Sequence, residues 1–124
     1  MIITKSKHIY IKLLIIKLLV IPTGLKTTRA RQANDSLYIV TLLNEAEQYK
    51  NALMFSKSDS LYRKSIRLAK NKYPKLYYQS IISLAELNRK TGYFNEGKNI
   101  LLNLPENMEP ELKVRKYDRL AAIY

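Results

Sequence analysis

The residues able to do chemistry in this chain are few, and most have a plainer role. There is no cysteine, and the single histidine, His8, stands among lysines near the amino terminus with no acid before Asp35. Disulfides, thiolate metal sites and a cysteine nucleophile are thereby excluded. An isolated imidazole in such a segment is an incidental residue rather than a base or ligand. Glu106, Glu109 and Glu111 cluster, but around Pro105 and Pro110 at a helix start. Acids there complement the positive end of the helix, which explains them better than paired acid–base work. The three glycines form no phosphate-binding loop, and no His/Asp/Glu spacing suits a metal. Asn34-Asp35-Ser36 matches a glycosylation sequon, yet an acid and a hydroxyl ahead of an apolar helix read first as a cap. The basic stretch "RKSIRLAKNKYPK" resembles a nucleic-acid patch, but its apolar residues form a packing face, leaving a solvated basic face. These residues carry no enzyme, no cofactor and no small-molecule substrate.

The net charge of +12 over 124 residues also invites a nucleic-acid reading, until it is divided along the chain. Residues 1–34 hold seven bases and no acid; the remainder holds 15 bases against 10 acids. The excess belongs mainly to "MIITKSKHIYIKLLIIKLLVIPTG", where lysines precede an apolar run from Ile9 to Ile21, then Pro22 and Gly24. That is the order of an export signal, and the run is shorter than the roughly 17–25 residues of a membrane span. Cleavage fits after Ala30 or Ala33, although Lys12 and Lys17 interrupt the run. Two other readings stand beside it: a cytosolic helix packed on the body, and a basic helix on an acidic membrane surface through residues 1–21. Residues 1–33 are accordingly a signal-like or anchor-like segment with its linker, the linker-like composition running over residues 22–34. The protein is expected to be exported or associated with the cell envelope, with a cytoplasmic location as the alternative.

The body, residues 34–124, is patterned as helices throughout. Asp35-Ser36 reads as the first helix start, with Leu37, Val40, Leu43, Ala46 and Leu53 at helical spacing to about Met54. Phe55 and "SKSDS" read as a turn and cap before Leu61, Tyr62, Ser65, Ile66, Leu68 and Ala69. Pro74 opens a third helix at a tolerated first-turn position, carrying Tyr77, Tyr78, Ile81, Leu84, Ala85 and Leu87. Gly92 suits the left-handed backbone that ends many helices. Phe94–Leu104 forms a fourth helix, stopped by Pro105, and Glu109-Pro110-Glu111 opens a fifth. Gly97 lies inside the fourth, where glycine costs about 1 kcal/mol against alanine. Close approach of another helix is the expected reason. Leucine at 97 would then overpack, and alanine would be nearly neutral.

Superposed on one another, these pairs resemble the tetratricopeptide repeat, with its W-x2-L-G-x2-Y, A-x3-F and proline positions. Ile81, Leu84, Ala85 and Asn88 fill the first-helix positions of the middle unit; Gly97 and Leu101 fill those of its second helix, and Pro110 lies one residue past the proline. Tyr117, Leu120, Ala121 and Tyr124 match the first helix of a further unit. Leu42, Glu45, Ala46 and Tyr49, then Ser58 and Tyr62, match an earlier one, with Glu45 in a leucine position and Asn88 where the other units have tyrosine. Ala46, Ala85 and Ala121 are spaced by 39 and 36, against about 34 in the family. The resemblance implies an all-α fold of antiparallel hairpins stacked as a short α-solenoid, preceded by the hydrophobic amino-terminal helix and incomplete at the carboxyl end.

The resemblance also implies a function: a scaffold that binds a peptide or protein segment in the groove lined by the first helix of each pair. That groove would display Glu47, Lys50 and Asn51, then Gln79, Ile82, Glu86, Arg89 and Lys90, then Arg115, Asp118 and Ala122. Its mildly basic wall suits an acidic or polar segment, and it lacks the paired Lys/Asn pattern of chaperone-tail clamps. A reading of another class is the sensory front of a membrane-bound bacterial signalling protein, a kinase or transcriptional regulator whose output part lies elsewhere. The uncovered apolar side of the last helix implies either a fragment of a longer array or self-association through that helix.

Overall fold

The structure, a computed structural model, describes the backbone of residues 25–124 and the side chains of residues 34–124. The amino-terminal export or anchor reading, with His8, falls on residues outside the described ones. The chain divides into two compact units, Met1–Asp35 and Ser36–Tyr124. The described residues are all-helical: α1 (Leu25–Asn51), α2 (Phe55–Ala69), α3 (Pro74–Lys90), α4 (Phe94–Leu102) and α5 (Pro110–Ile123). None of these helices is long and apolar enough to cross a membrane.

Three boundaries differ from those the sequence suggests. Helix α1 begins at Leu25 and runs through Asp35-Ser36, so the stretch from Leu25 to Asn34 is helix rather than linker. Leu, Lys, Arg, Gln and Ala supply most of it, and all are strong helix formers. Helix α2 begins at Phe55 and takes "SKSDS" into its first turns. Met54, Tyr73, Tyr93 and Glu109 cap α2 to α5 without any side-chain capping hydrogen bond. Helix α4 ends at Leu102, short of Pro105, because Asn103 and Leu104 already turn on bonds to the Asn99 and Leu101 carbonyls. Pro74 and Pro110 open their helices as expected.

The turn between α1 and α2 and the turn between α3 and α4 are the same turn, repeated at the spacing of Ala46 from Ala85. In the first, the Met54 amide donates to the Tyr49 carbonyl at 2.8 Å and the Leu53 amide to Lys50 at 3.1 Å. In the second, Tyr93 donates to Asn88 at 2.8 Å and Gly92 to Arg89 at 3.2 Å. This pairing of a wider and a tighter closure is the Schellman ending, which needs one left-handed residue. Gly92 supplies it with φ +86° and Leu53 with φ +61°.

The helix interfaces behind those turns repeat as well. Ala46 and Ser58 meet in the first hairpin, where the Ser58 hydroxyl donates to the Ala46 carbonyl at 2.8 Å. Ala85 and Gly97 meet in the second: a Cβ added at Gly97 would lie 3.0 Å from the Ala85 carbonyl oxygen and 3.4 Å from the Asn88 Cβ. One turn further along each second helix, Tyr62 and Leu101 are fully buried. One apolar cluster joins Ala46, Tyr62, Leu84 and Leu87. A second joins Ile82, Ala85, Leu101, Leu104, Met108, Leu112 and Leu120, and Ile100 packs against both. Helix α3 is therefore central, touching α2, α4 and α5. A buried hydroxyl pair, Ser65 with Ser80 at 2.7 Å, closes the α2–α3 interface.

Candidate functional site: a charged face and a cleft

The tetratricopeptide resemblance implies a groove along α1, α3 and α5, and five of the nine charged or polar residues expected to line it come together on α1 and α3. On α1, the Lys50 ammonium lies 2.8 Å from the Glu47 carboxylate. On α3, Arg89 grips Glu86 with two hydrogen bonds, at 2.7 and 3.0 Å. Each pair sets an acid and a base at i and i+3, and each follows a buried alanine, Ala46 or Ala85. A charge pair thus recurs at the same place in each hairpin. Lys90 adds its charge beside Glu47, and Arg119 of α5 comes within 3.5 Å of Glu86. Tyr62, from α2, donates its hydroxyl to Glu47 at 2.9 Å.

The electrostatics follow from this crowding. Burial pushes the Glu86 carboxyl up, but the Arg89 hydrogen bonds and the charges of Arg119, Arg89 and Lys50 outweigh it and hold it below the usual carboxylate range. Glu47 is likewise held low: burial raises it, while Lys50, Tyr62 and Lys90 lower it by more. Burial, then the bond to Glu47, drives the Tyr62 hydroxyl up, so it stays a donor. Lys50 and Glu86 are only 7% and 6% exposed. Their charges are turned to neighbouring side chains, which ties the helices together and leaves little of either for a ligand.

The other expected residues are placed less centrally. Asn51, Arg115 and Asp118 are exposed and Gln79 is half-buried, with no ion pair to the cluster. Ile82 is a core residue, packed with Leu101 and Leu112, because an apolar side chain on α3 is covered by α5. Ala122 is exposed. Arg119 and Tyr62 belong to the cluster although the groove pattern did not include them. The signal for the paired charges was present in "AEQYK" and "AELNR", each opening on its unit's alanine; nothing comparable marked Arg119.

A separate cleft opens on another side, between α2, the end of α3 and α4. The Cα traces of α2 and α4 nowhere come within 8 Å among the described residues, and the gap holds about 750 Å³. Leu87, Asn88 and Ile100 lie in it beside Phe55, Arg63 and Glu96. The Arg63 guanidinium is engaged by Asp59 at 2.9 Å. A smaller cleft of about 500 Å³ continues past Arg63 and Ile100 toward Tyr77, Tyr78 and Pro105. None of the nine expected residues lines either one. Elsewhere, the buried Lys116 ammonium donates to the Leu104 carbonyl at 3.3 Å and to Glu106 at 3.1 Å, fastening the loop ahead of α5. No three His, Cys, Asp or Glu side chains among the described residues could share a metal. Compared with known proteins, the chain matches no family model, no curated protein and no solved structure.

Proposed function

We propose that the chain is a binding scaffold of the tetratricopeptide type, holding an extended, acidic or polar peptide segment against the face of α1, α3 and α5. One observation carries the reading. The turn, the small-residue contact and the acid–base pair all recur together, so two successive hairpins present matched first helices with charges along one side. An array of that kind offers a peptide regularly spaced anchors. The buried Lys50 and Glu86 serve to set the spacing between first helices. Contact with the ligand falls to the exposed charges around them, Lys90 and Arg115 above all, with Asn51, Gln79 and Asp118 as polar neighbours. Bases exceed acids on this face once Glu47 and Glu86 are counted as paired, which favours an acidic partner.

The test is selection from a displayed peptide library by the full chain, followed by titration of the enriched sequences. Acidic peptides should emerge, and Lys90→Glu combined with Arg115→Glu should weaken them by roughly tenfold or more, about 1.4 kcal/mol. Both positions are exposed, and unchanged circular dichroism of the double variant is the check that the fold is kept. Enriched peptides that ignore this double reversal and respond to Asn99→Lys in the cleft would refute the assignment of the face.

A further inference from the structure

Asn88 is withdrawn from bulk water without being satisfied. Its residue is 7% exposed, yet its side-chain amide has no hydrogen-bond partner among the described residues. Every fully enclosed side-chain nitrogen or oxygen among those residues does have one, so this amide is not sealed in the core. It opens into the cleft between α2 and α4, which it lines with Leu87 and Ile100. A polar group held there unpaired costs stability, and a ligand in the cleft would supply the missing bond.

The first hairpin fills the equivalent place from within. Asn88 follows Tyr49 by the same 39 residues that separate Ala85 from Ala46, and Glu96 follows Lys57 by 39 as well. In the first hairpin the Lys57 ammonium lies 5.4 Å from the centre of the Tyr49 ring. In the second, a short amide replaces the ring and a carboxylate replaces the ammonium. Glu96 has no ion pair among the described residues. Arg63, a base in the same lining, is already engaged by Asp59 at 2.9 Å. The cleft therefore keeps an uncompensated negative charge, on a body with 15 bases against 10 acids. Both the space and the positive charge that the first hairpin provides for itself are lacking here.

We propose that this cleft binds a guanidinium group on a short apolar stem, that of arginine, whether free or within a peptide. The Glu96 carboxylate supplies the attraction, and the amide oxygens of Asn88 and Asn99 are further acceptors in the same lining. A guanidinium has five donors in a planar fork, enough for all three, whereas an ammonium has three on a single nitrogen. It is also the more weakly hydrated ion, which suits a place walled by Leu87 and Ile100, and its stem can pack on Phe55. The volume of about 750 Å³ lies within the roughly 300–1,000 Å³ of small-ligand sites. This site is separate from the face of α1, α3 and α5 and prefers the opposite charge.

The test is a nuclear magnetic resonance titration of the full, isotope-labelled chain with N-acetyl-arginine amide. Saturable shifts should centre on the Asn88 side-chain amide and the backbone amides of Tyr93 and Glu96. The citrulline analogue, equal in shape but uncharged, should bind about tenfold more weakly, and the lysine analogue at least about threefold more weakly. Tighter binding of free arginine than of the blocked compound would identify a small-molecule ligand, and the reverse order an arginine within a peptide. Glu96→Gln, at an exposed position, should weaken the arginine compound about fivefold and leave the citrulline compound unchanged. Asn88→Tyr, which restores the residue of the first hairpin, should close the cleft and abolish binding of both. Lys90→Glu combined with Arg115→Glu should change nothing at this site. The proposal is overturned by an absence of saturable shifts up to about 10 mM of the arginine compound, or by shifts centred away from the cleft. Equal binding of the citrulline compound, or indifference to Glu96→Gln, would overturn it as well.

Discussion

Ser58 and Gly97 hold the same place in successive hairpins and answer the same crowding in different ways. At Ser58 the hairpin is wide enough for a hydroxyl that bonds the facing Ala46 carbonyl. At Gly97 the facing Ala85 carbonyl has come so close that a Cβ would meet it at 3.0 Å. That atom is backbone, held within α3, and cannot swing away. The sequence had shown correctly that a helix approaches Gly97, but it treated alanine there as harmless, since spacing alone does not reveal a gap of a few tenths of an ångström. Gly97→Ala should therefore destabilise the protein by about 1 kcal/mol despite the gain in helix propensity, and Gly97→Leu by about 3 kcal/mol or more. Urea unfolding of the three chains gives the order, and an alanine variant more stable than the parent would contradict the close contact.

Glu86 gives a second test at the same scale. Its carboxyl is held low by Arg89, Arg119 and Lys50, so its ion pairs stabilise the folded chain above the ordinary carboxylate pKa of about 4.3. That contribution disappears as pH falls through the lowered folded value. Glu86→Gln leaves Arg89 and Arg119 without their partner and should cost about 1–3 kcal/mol at pH 7. As pH falls through that lowered folded value the parent also loses the charge, and the two melting curves should converge. A deficit that does not shrink as the solution is acidified from pH 7 would mean that shape, not charge, explains the loss. The pairing of Glu86 with Arg89 was open to a reader who aligned "AEQYK" with "AELNR". Arg119 was not, since only the packing of α5 on α3 brings it near.

Among the elements, the turns were the least readable from sequence. Glycine at 92 announces a left-handed residue, while leucine at 53 announces nothing, yet both occupy the same turn with the same hydrogen bonds. A leucine there costs roughly 1 kcal/mol of backbone strain. Its side chain is 75% exposed and returns little packing. Leu53→Gly should raise the unfolding free energy by about 0.5–1 kcal/mol, the gain being reduced by the added freedom of the unfolded chain. Leu53→Ala, which relieves no strain, is the control and should bring no such gain. Helix starts were hidden for a related reason. Asp35-Ser36 has the composition of a cap, but strong helix formers precede it and α1 continues through. At α2 and α4 the Schellman turn itself delivers the chain into the next helix, with Ser58 and Gly97 closing back on Met54 and Tyr93 at 3.1 Å. Glu45 shows the limit of matching positions between units. Leu84, its counterpart, packs with Tyr62 and Leu87, whereas Glu45 is exposed.

At the scale of the molecule, both apolar clusters are built from residues of the second unit, between Ala46 and Leu120, with α3 shared between them. The partly buried side chains around them begin at Leu43 and end at Ile123. The division of the chain at Asp35 agrees with the break in composition that separates seven unopposed bases from the mixed charges that follow. Packing energy is proportional to apolar area removed from water, so the described core owes its stability to the residues after that division. A chain beginning at residue 34 should therefore keep the helical content of the body, and its melting midpoint should shift by no more than about 4 °C, the effect of roughly 1 kcal/mol in a domain of this size. Its charge drops to 15 bases against 10 acids, so any affinity of the full chain for anionic vesicles should fall with it. A shortened chain that melts without a cooperative transition would show that residues 1–33 contribute to the core. The separation of charge and core along the sequence would then be a coincidence of composition.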